Sequence, residues 1–109
     1  MLTENEEEIQ ETTDEQAAIF SALSDPTRLK LIKLLRNQQE PNALCVNALA
    51  GLLGVTQSAI SQHLRVLKSI GLVKGERRGM TIHYFINAEA LEQYRRLAEA
   101  ILSLEKPEE

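Results

Sequence analysis

Tryptophan is absent from this 109-residue chain, and two phenylalanines with two tyrosines are its entire aromatic complement. The core must therefore be built from Leu, Ile, Val and Ala. A chain this short, with so few rings, gains stability by sharing apolar surface with a second copy. Cysteine is nearly absent too: Cys45 stands alone, which excludes an intrachain disulfide framework and a dithiol within one subunit. No apolar run approaches the roughly 18 residues of a membrane span. The segment Met1–Asp14 lacks the basic and apolar regions of a signal peptide, so the expected location is the cytoplasm. Missing as well are a nucleophile–base pairing, a glycine-rich phosphate loop and a cluster of metal ligands. Gly51-Leu52-Leu53-Gly54 reads as the end of a helix, so no enzyme and no cofactor is expected.

Positive charge is absent from residues 1–24, which hold seven acids, and this absence changes the meaning of the net charge of −4. Residues 25–87 carry nine bases against three acids, a local +6, and residues 88–109 carry −3. A basic middle between acidic ends suits a polyanionic partner in a way the total conceals.

Residues 1–12 are polar, acidic and without periodicity, and are expected to form a disordered tail. Thr13 and Gln16 have capping-box spacing, which opens a helix through about Leu23 with Ala17 and Phe20 on its apolar face. Asp25-Pro26 starts a second helix, Asp25 as N-cap and Pro26 at the first helical position. Leu29, Ile32 and Leu35 line it, Leu31 and Leu34 widen the stripe, and Arg28, Lys30, Lys33 and Arg36 are left largely exposed. It is expected to fray across Asn37–Glu40 before Pro41. A short helix follows from about Asn47 to Leu53 with Leu49, Leu52 and Leu53 buried, and Gly54 ends it. Thr56 caps a further helix to Ile70, whose inner stripe is Ile60, Leu64 and Leu67. Beyond Gly71 the period changes to alternation: Val73–Arg77 and Thr81–Ile86 read as a hairpin. The last helix runs from near Ala88 to about Leu104. The fold class is mainly α with one β-hairpin, in a single domain over 13–105 followed by a tail at 106–109.

A short helix, the turn Gly54-Val55 and a longer helix form the helix-turn-helix pattern, in which the second helix enters the major groove of duplex DNA. Thr56 caps that helix; Gln57, Ser58, Ser61 and Gln62 are hydrogen-bonders near its N-terminus, and Gln can pair with adenine through two bonds. Arg65 and Lys68 lie further along, suited to phosphates. His63 sits on the same helix, to touch DNA or to pack at its edge. The hairpin concentrates Lys74, Arg77 and Arg78 around Gly79, and a basic hairpin directly after a helix-turn-helix reads as a wing. His83, in the second strand, is expected to be exposed.

Four separated blocks, Leu23-Ser24-Asp25-Pro26-Thr27-Arg28, Leu44-Cys45-Val46, Val55 through Leu67, and Gly71-Leu72-Val73 followed by Arg77-Arg78-Gly79, resemble the ArsR/SmtB family over residues 15–105. The resemblance implies a winged helix-turn-helix homodimer joined through its first and last helices. The residues for that interface are Ala17, Phe20, Leu91, Tyr94, Leu97, Ala98 and Ile101. It also implies repression by occupying a pseudo-palindromic operator, relieved by an effector that the sequence does not identify.

Relatives in that family often place metal ligands in a Cys-Val-Cys stretch or on the last helix. Cys45 matches the first cysteine of the stretch, but Asn47 stands at the second and Ala48 after it. Residues 88–105 contain no His, Asp or Cys; their best oxygen donors are Glu89, Glu92 and Glu99. One thiolate is a poor trap for a soft metal, so neither familiar metal site is expected. Cys45 is read as a small core residue ahead of intersubunit disulfide formation or direct modification. The expected function is a sequence-specific DNA-binding regulator; the alternative is a protein-interaction module or antagonist subunit derived from a winged helix. Gln57, Ser58, Ser61, Gln62, Arg65, Arg77 and Arg78 favour DNA.

Overall fold

The computed structural model describes residues 4–38 and 44–104, with side chains from Thr12 onward. Five helices and three strands follow in the order α1 (Glu4–Leu23), α2 (Pro26–Asn37), β1 (Leu44–Cys45), α3 (Val46–Leu53), α4 (Gln57–Ser69), β2 (Val73–Arg78), β3 (Thr81–Ile86) and α5 (Ala88–Leu102). The expected tail beyond residue 105 lies outside the described residues, as do Gln39 and Glu40 of the stretch expected to fray; within that stretch Asn37 is the last helical residue and Gln38 is extended. Helix α1 begins at Glu4, nine residues before the expected cap at Thr13, so most of the segment expected as a tail has helical backbone. Glutamate is a good helix former, and acids concentrated at a helix N-terminus complement its positive dipole end.

Local chemistry sets the element ends. Asp25 accepts the backbone N–H of Arg28 at 3.0 Å and Pro26 follows as the first residue of α2. Thr56 accepts the N–H of Ala59 at 3.0 Å to start α4, and Asn87 caps α5 through the N–H of Ala90 at 3.3 Å. Between α3 and α4 the chain must reverse within three residues. Gly54 adopts φ 66, a left-handed conformation in which a side chain would be strained, and its N–H returns to the carbonyl of Ala50.

The core is aliphatic: Leu31, Leu35, Leu49, Ile60, Leu64, Leu67, Leu72 and Val73 are buried together with Ala50 and Ala90. Ile60, Leu64 and Leu67 form the inner stripe of α4 as the periodicity predicts. On α2 the buried pair is Leu31 and Leu35, while Leu29 is 43% exposed; the stripe is centred on the i, i+4 pair rather than on Leu29, Ile32 and Leu35. On α3, Leu52 is 61% exposed because Leu49 and Ala50 face inward.

The sheet is antiparallel in the order β1-β3-β2, with Val73 opposite Ile86 and Arg78 opposite Thr81 in the hairpin. Strand β1 is an addition the alternation pattern misses. It pairs Leu44 with Tyr84 and Cys45 with His83. Gln38 supports it from the end of α2: its side-chain oxygen accepts the N–H of Leu44 at 2.8 Å and its nitrogen donates to the carbonyl of Tyr84 at 2.6 Å.

Helix α5 carries an exposed charge network. Arg95 donates to Glu92 at 2.7 and 2.9 Å and to Glu99 at 2.9 Å, and Arg96 donates to Glu92 at 3.2 Å. The Arg95 hydrogen bonds, helped by its charge and by Arg96, hold the Glu92 carboxyl down to about 2 from an ordinary 4.5. A depressed carboxyl stabilises the fold above its unfolded value and loses that contribution as pH falls through the folded value. Acid titration of helicity should therefore lose the α5 contribution between pH 4.5 and about 2, and Glu92→Gln should flatten that part of the curve. In the core, Leu67→Ala, at a position with 0% exposure, should lower the unfolding free energy by about 3 kcal/mol in urea denaturation.

Candidate nucleic-acid interface

The inner stripe of α4 dictates what its other side presents. With Ile60, Leu64 and Leu67 turned into the core, Gln57, Ser58, Ser61, Gln62, Arg65 and Lys68 are all exposed, together with the cap residue Thr56. The expected reading residues thus share one accessible surface. A recess of about 240 Å³ opens between α4 and β3, lined by Ser61, Leu64, Arg65, Lys68 and Tyr84. It joins two cations of α4 to the base of the hairpin.

Gln57, at the start of α4, donates from Nε2 to Oδ1 of Asn47 on α3 at 2.9 Å. The two residues are exposed and ten positions apart, so the contact exists only because the Gly54 turn folds α3 back on α4.

His63 does not share the outward face of α4. It is half-buried, and its Nδ1 lies 3.2 Å from an Arg28 guanidinium nitrogen and 3.9 Å from the Asp25 carboxylate. Arg28 is half-buried rather than solvated with the other cations of α2. Its Nε donates to the carbonyl of Ala22 at 2.5 Å and a terminal nitrogen reaches the carbonyl of Ser21 at 3.4 Å. One guanidinium thereby ties the last turn of α1, the start of α2 and the middle of α4. The Arg28 backbone N–H, with His63 and the Arg28 side chain adding charge, holds the Asp25 carboxyl below its ordinary value.

In the hairpin, Lys74 and Arg77 are exposed. Arg78 turns the other way from Arg77, on the face it shares with Lys74: its guanidinium lies 5.1 Å over the Phe85 ring and 3.9 Å from Glu76. Gly79 at φ 65 makes the turn, and Met80 at the tip is 96% exposed. The two neighbouring arginines thus serve different faces of the ribbon, as strand alternation requires. His83 is half-buried, not exposed as expected, because β1 covers it; its Nδ1 is buried without a hydrogen-bond partner, and Nε2 is 3.4 Å from the Thr81 hydroxyl.

Of the residues expected at a subunit interface, Leu91 and Tyr94 pack against their own core, and the Tyr94 hydroxyl donates to the carbonyl of Ile70. Ala17 is exposed, Phe20, Leu97 and Ala98 are half-buried, and Ile101 is 46% exposed beside Leu102 at 73%. The outward apolar face of α5 therefore lies toward its C-terminal half. Among the described residues no three His, Cys, Asp or Glu side chains come together as a metal cluster. Glu92 and Glu99 are engaged by arginine, and no described helix is long and apolar enough to cross a membrane.

Residues 25–74 match the family described as "Bacterial regulatory protein, arsR family". The chain is 40% identical over 86 residues to a transcriptional repressor SmtB homolog of Synechocystis, covering 78% of this chain and 62% of that protein. It is 34% identical to an uncharacterized HTH-type transcriptional regulator of Methanocaldococcus jannaschii, covering 84% of this chain and 99% of the relative. Among solved structures, an ArsR-like transcriptional regulator from Rhodococcus superposes with a TM-score of 0.68 at 33% identity, covering 83% of this chain and 81% of that one. The chain thus spans less than two thirds of the Synechocystis relative but nearly all of the archaeal one.

Removing the Arg28 knot should be costly, because two backbone carbonyls and the His63 ring lose a charged partner together. Arg28→Ala is expected to lower the unfolding free energy by about 2 kcal/mol in urea denaturation, with Arg28→Lys falling in between.

Proposed function

The chain belongs to the arsR family of bacterial regulatory proteins, a family of transcriptional regulators, and from this premise we propose that it is a homodimeric repressor acting by operator occupancy. The observation that carries the reading is the exposed face of α4: Gln57, Ser58, Ser61 and Gln62 near its N-terminus, then Arg65 and Lys68, with no apolar side chain among them. A helix set into the major groove reads bases with the first group and meets phosphates with the second. Lys74 and Arg77 on the hairpin extend the positive surface beyond the helix, and Thr56 fixes the helix end that enters the groove.

Dimerisation would use the surface that a single protomer leaves uncovered: Leu97, Ala98, Ile101 and Leu102 of α5, joined by Ala17 and Phe20 of α1. A two-fold dimer presents two α4 helices, so the matching operator is pseudo-palindromic with half-sites about 34–36 Å apart. The usual metal-sensing sites of the family are not part of this reading. Asn47 occupies the second position of the cysteine stretch and is hydrogen-bonded to Gln57, while Glu92 and Glu99 of α5 face arginines of their own helix.

The test is a titration against the chain's own promoter region and random duplex at two salt concentrations. Gln62→Ala should weaken operator binding about tenfold and leave random DNA unchanged, as loss of a base contact does. Arg77→Ala should weaken both and reduce the salt slope by about one. Equal loss on both DNAs from both variants would refute the assignment of α4 as the reading helix, and no selectivity in the unsubstituted protein would point to a protein-binding module.

A further inference from the structure

Asn47 belongs to α3, the helix that does not enter the groove, yet it holds the side chain that opens the reading helix. Gln57 is the first residue of α4 and its amide nitrogen donates to Asn47 Oδ1 at 2.9 Å. A glutamine at an exposed helix start otherwise samples many rotamers, and fixing one of them on binding costs conformational entropy. The bond to Asn47 spends one of the two amide hydrogens. The other, with the carbonyl oxygen, remains available as the donor–acceptor pair that matches an adenine edge. The backbone of Asn47 is anchored: it is the second residue of α3, close after β1, which is paired to the wing strand β3 through Cys45 opposite His83. The orientation of Gln57 is therefore referred to the sheet as well as to α4.

We propose that Asn47 is a positioning residue for DNA specificity, acting through the Asn47 Oδ1–Gln57 Nε2 hydrogen bond to hold the Gln57 amide in a base-reading orientation. This rests on the DNA-binding reading above, and it makes Gln57 a preorganised contact rather than a flexible one.

The measurement is a double-mutant cycle on the full chain, titrating operator and random duplex with the unsubstituted protein, Asn47→Ala, Gln57→Ala and the double variant. It is accompanied by NMR of the Gln57 side-chain amide without DNA. Asn47→Ala is expected to lower the operator-to-random ratio about fivefold, the scale of one neutral hydrogen bond, with random-duplex affinity and salt slope unchanged. In the Gln57→Ala background the same substitution should do nothing. Asn47→Asp keeps the acceptor and should keep the ratio, although its charge lowers affinity for all DNA. The free protein should show the Gln57 amide ordered, and Asn47→Ala should release it. An unchanged ratio in Asn47→Ala, or an equal loss with and without Gln57, would overturn the positioning role while leaving the regulator reading in place. Absence of operator preference in the unsubstituted protein, with the amide still ordered, would overturn both.

Discussion

Rotation of α4 about its own axis is the constraint on which the rest of the molecule depends. Three side chains set it: Ile60, Leu64 and Leu67, each at most 1% exposed. Burying them fixes the opposite face, where a turn of about 100° in the wrong direction would bring Leu64 to the surface and carry the polar row into the core. Other elements reinforce that setting. Gly54 brings α3 against α4, Leu72 and Val73 carry the chain from α4 into the sheet, and Arg28 contacts His63 from the α1–α2 junction. No described polar or charged residue is buried in the core, so the orientation is decided by apolar shape, with hydrogen bonds trimming the edges.

That hierarchy explains what could be read from the sequence. The stripe of α4, its cap at Thr56 and the glycine that ends α3 are local signals within a window of about fifteen residues, and periodicity with capping chemistry captures them. Strand β1 is two residues long and exists because Gln38 and β3 supply its partners, so nothing within Leu44-Cys45 could announce it. On α2, five apolar positions leave the centre of the stripe ambiguous, and tertiary contact selects Leu31 and Leu35. Among the candidate site residues, the outward row of α4 was legible, since exposure follows directly from the stripe. His63 and Arg78 were not. Each is drawn to a partner remote in sequence or across the pleat, Arg28 in one case and Phe85 in the other. The link from Asn47 to Gln57 was likewise hidden, because neither residue type singles out the other.

Charge is distributed by role. The middle of the sequence carries the positive excess, but its cations are not equivalent. Arg28 is occupied with backbone carbonyls, and Arg78 with a ring and a glutamate. Arg65, Lys68, Lys74 and Arg77 are exposed on α4 and the hairpin. A formal count over the basic segment therefore overstates the charge available to a polyanion, while its position along α4 and the hairpin is what matters for one.

The hydrogen bond between α3 and the start of α4 also bears on how such a domain could be re-targeted. Grafting the outward residues of a related reading helix onto this scaffold would preserve the inner stripe and the fold, and the graft would look self-contained. Its first residue would still meet Asn47, which here hydrogen-bonds a glutamine. The exchangeable unit is thus discontinuous, an α4 face plus one position of α3, and a library built on the helix alone would sample specificity with its leading side chain mismatched to its support.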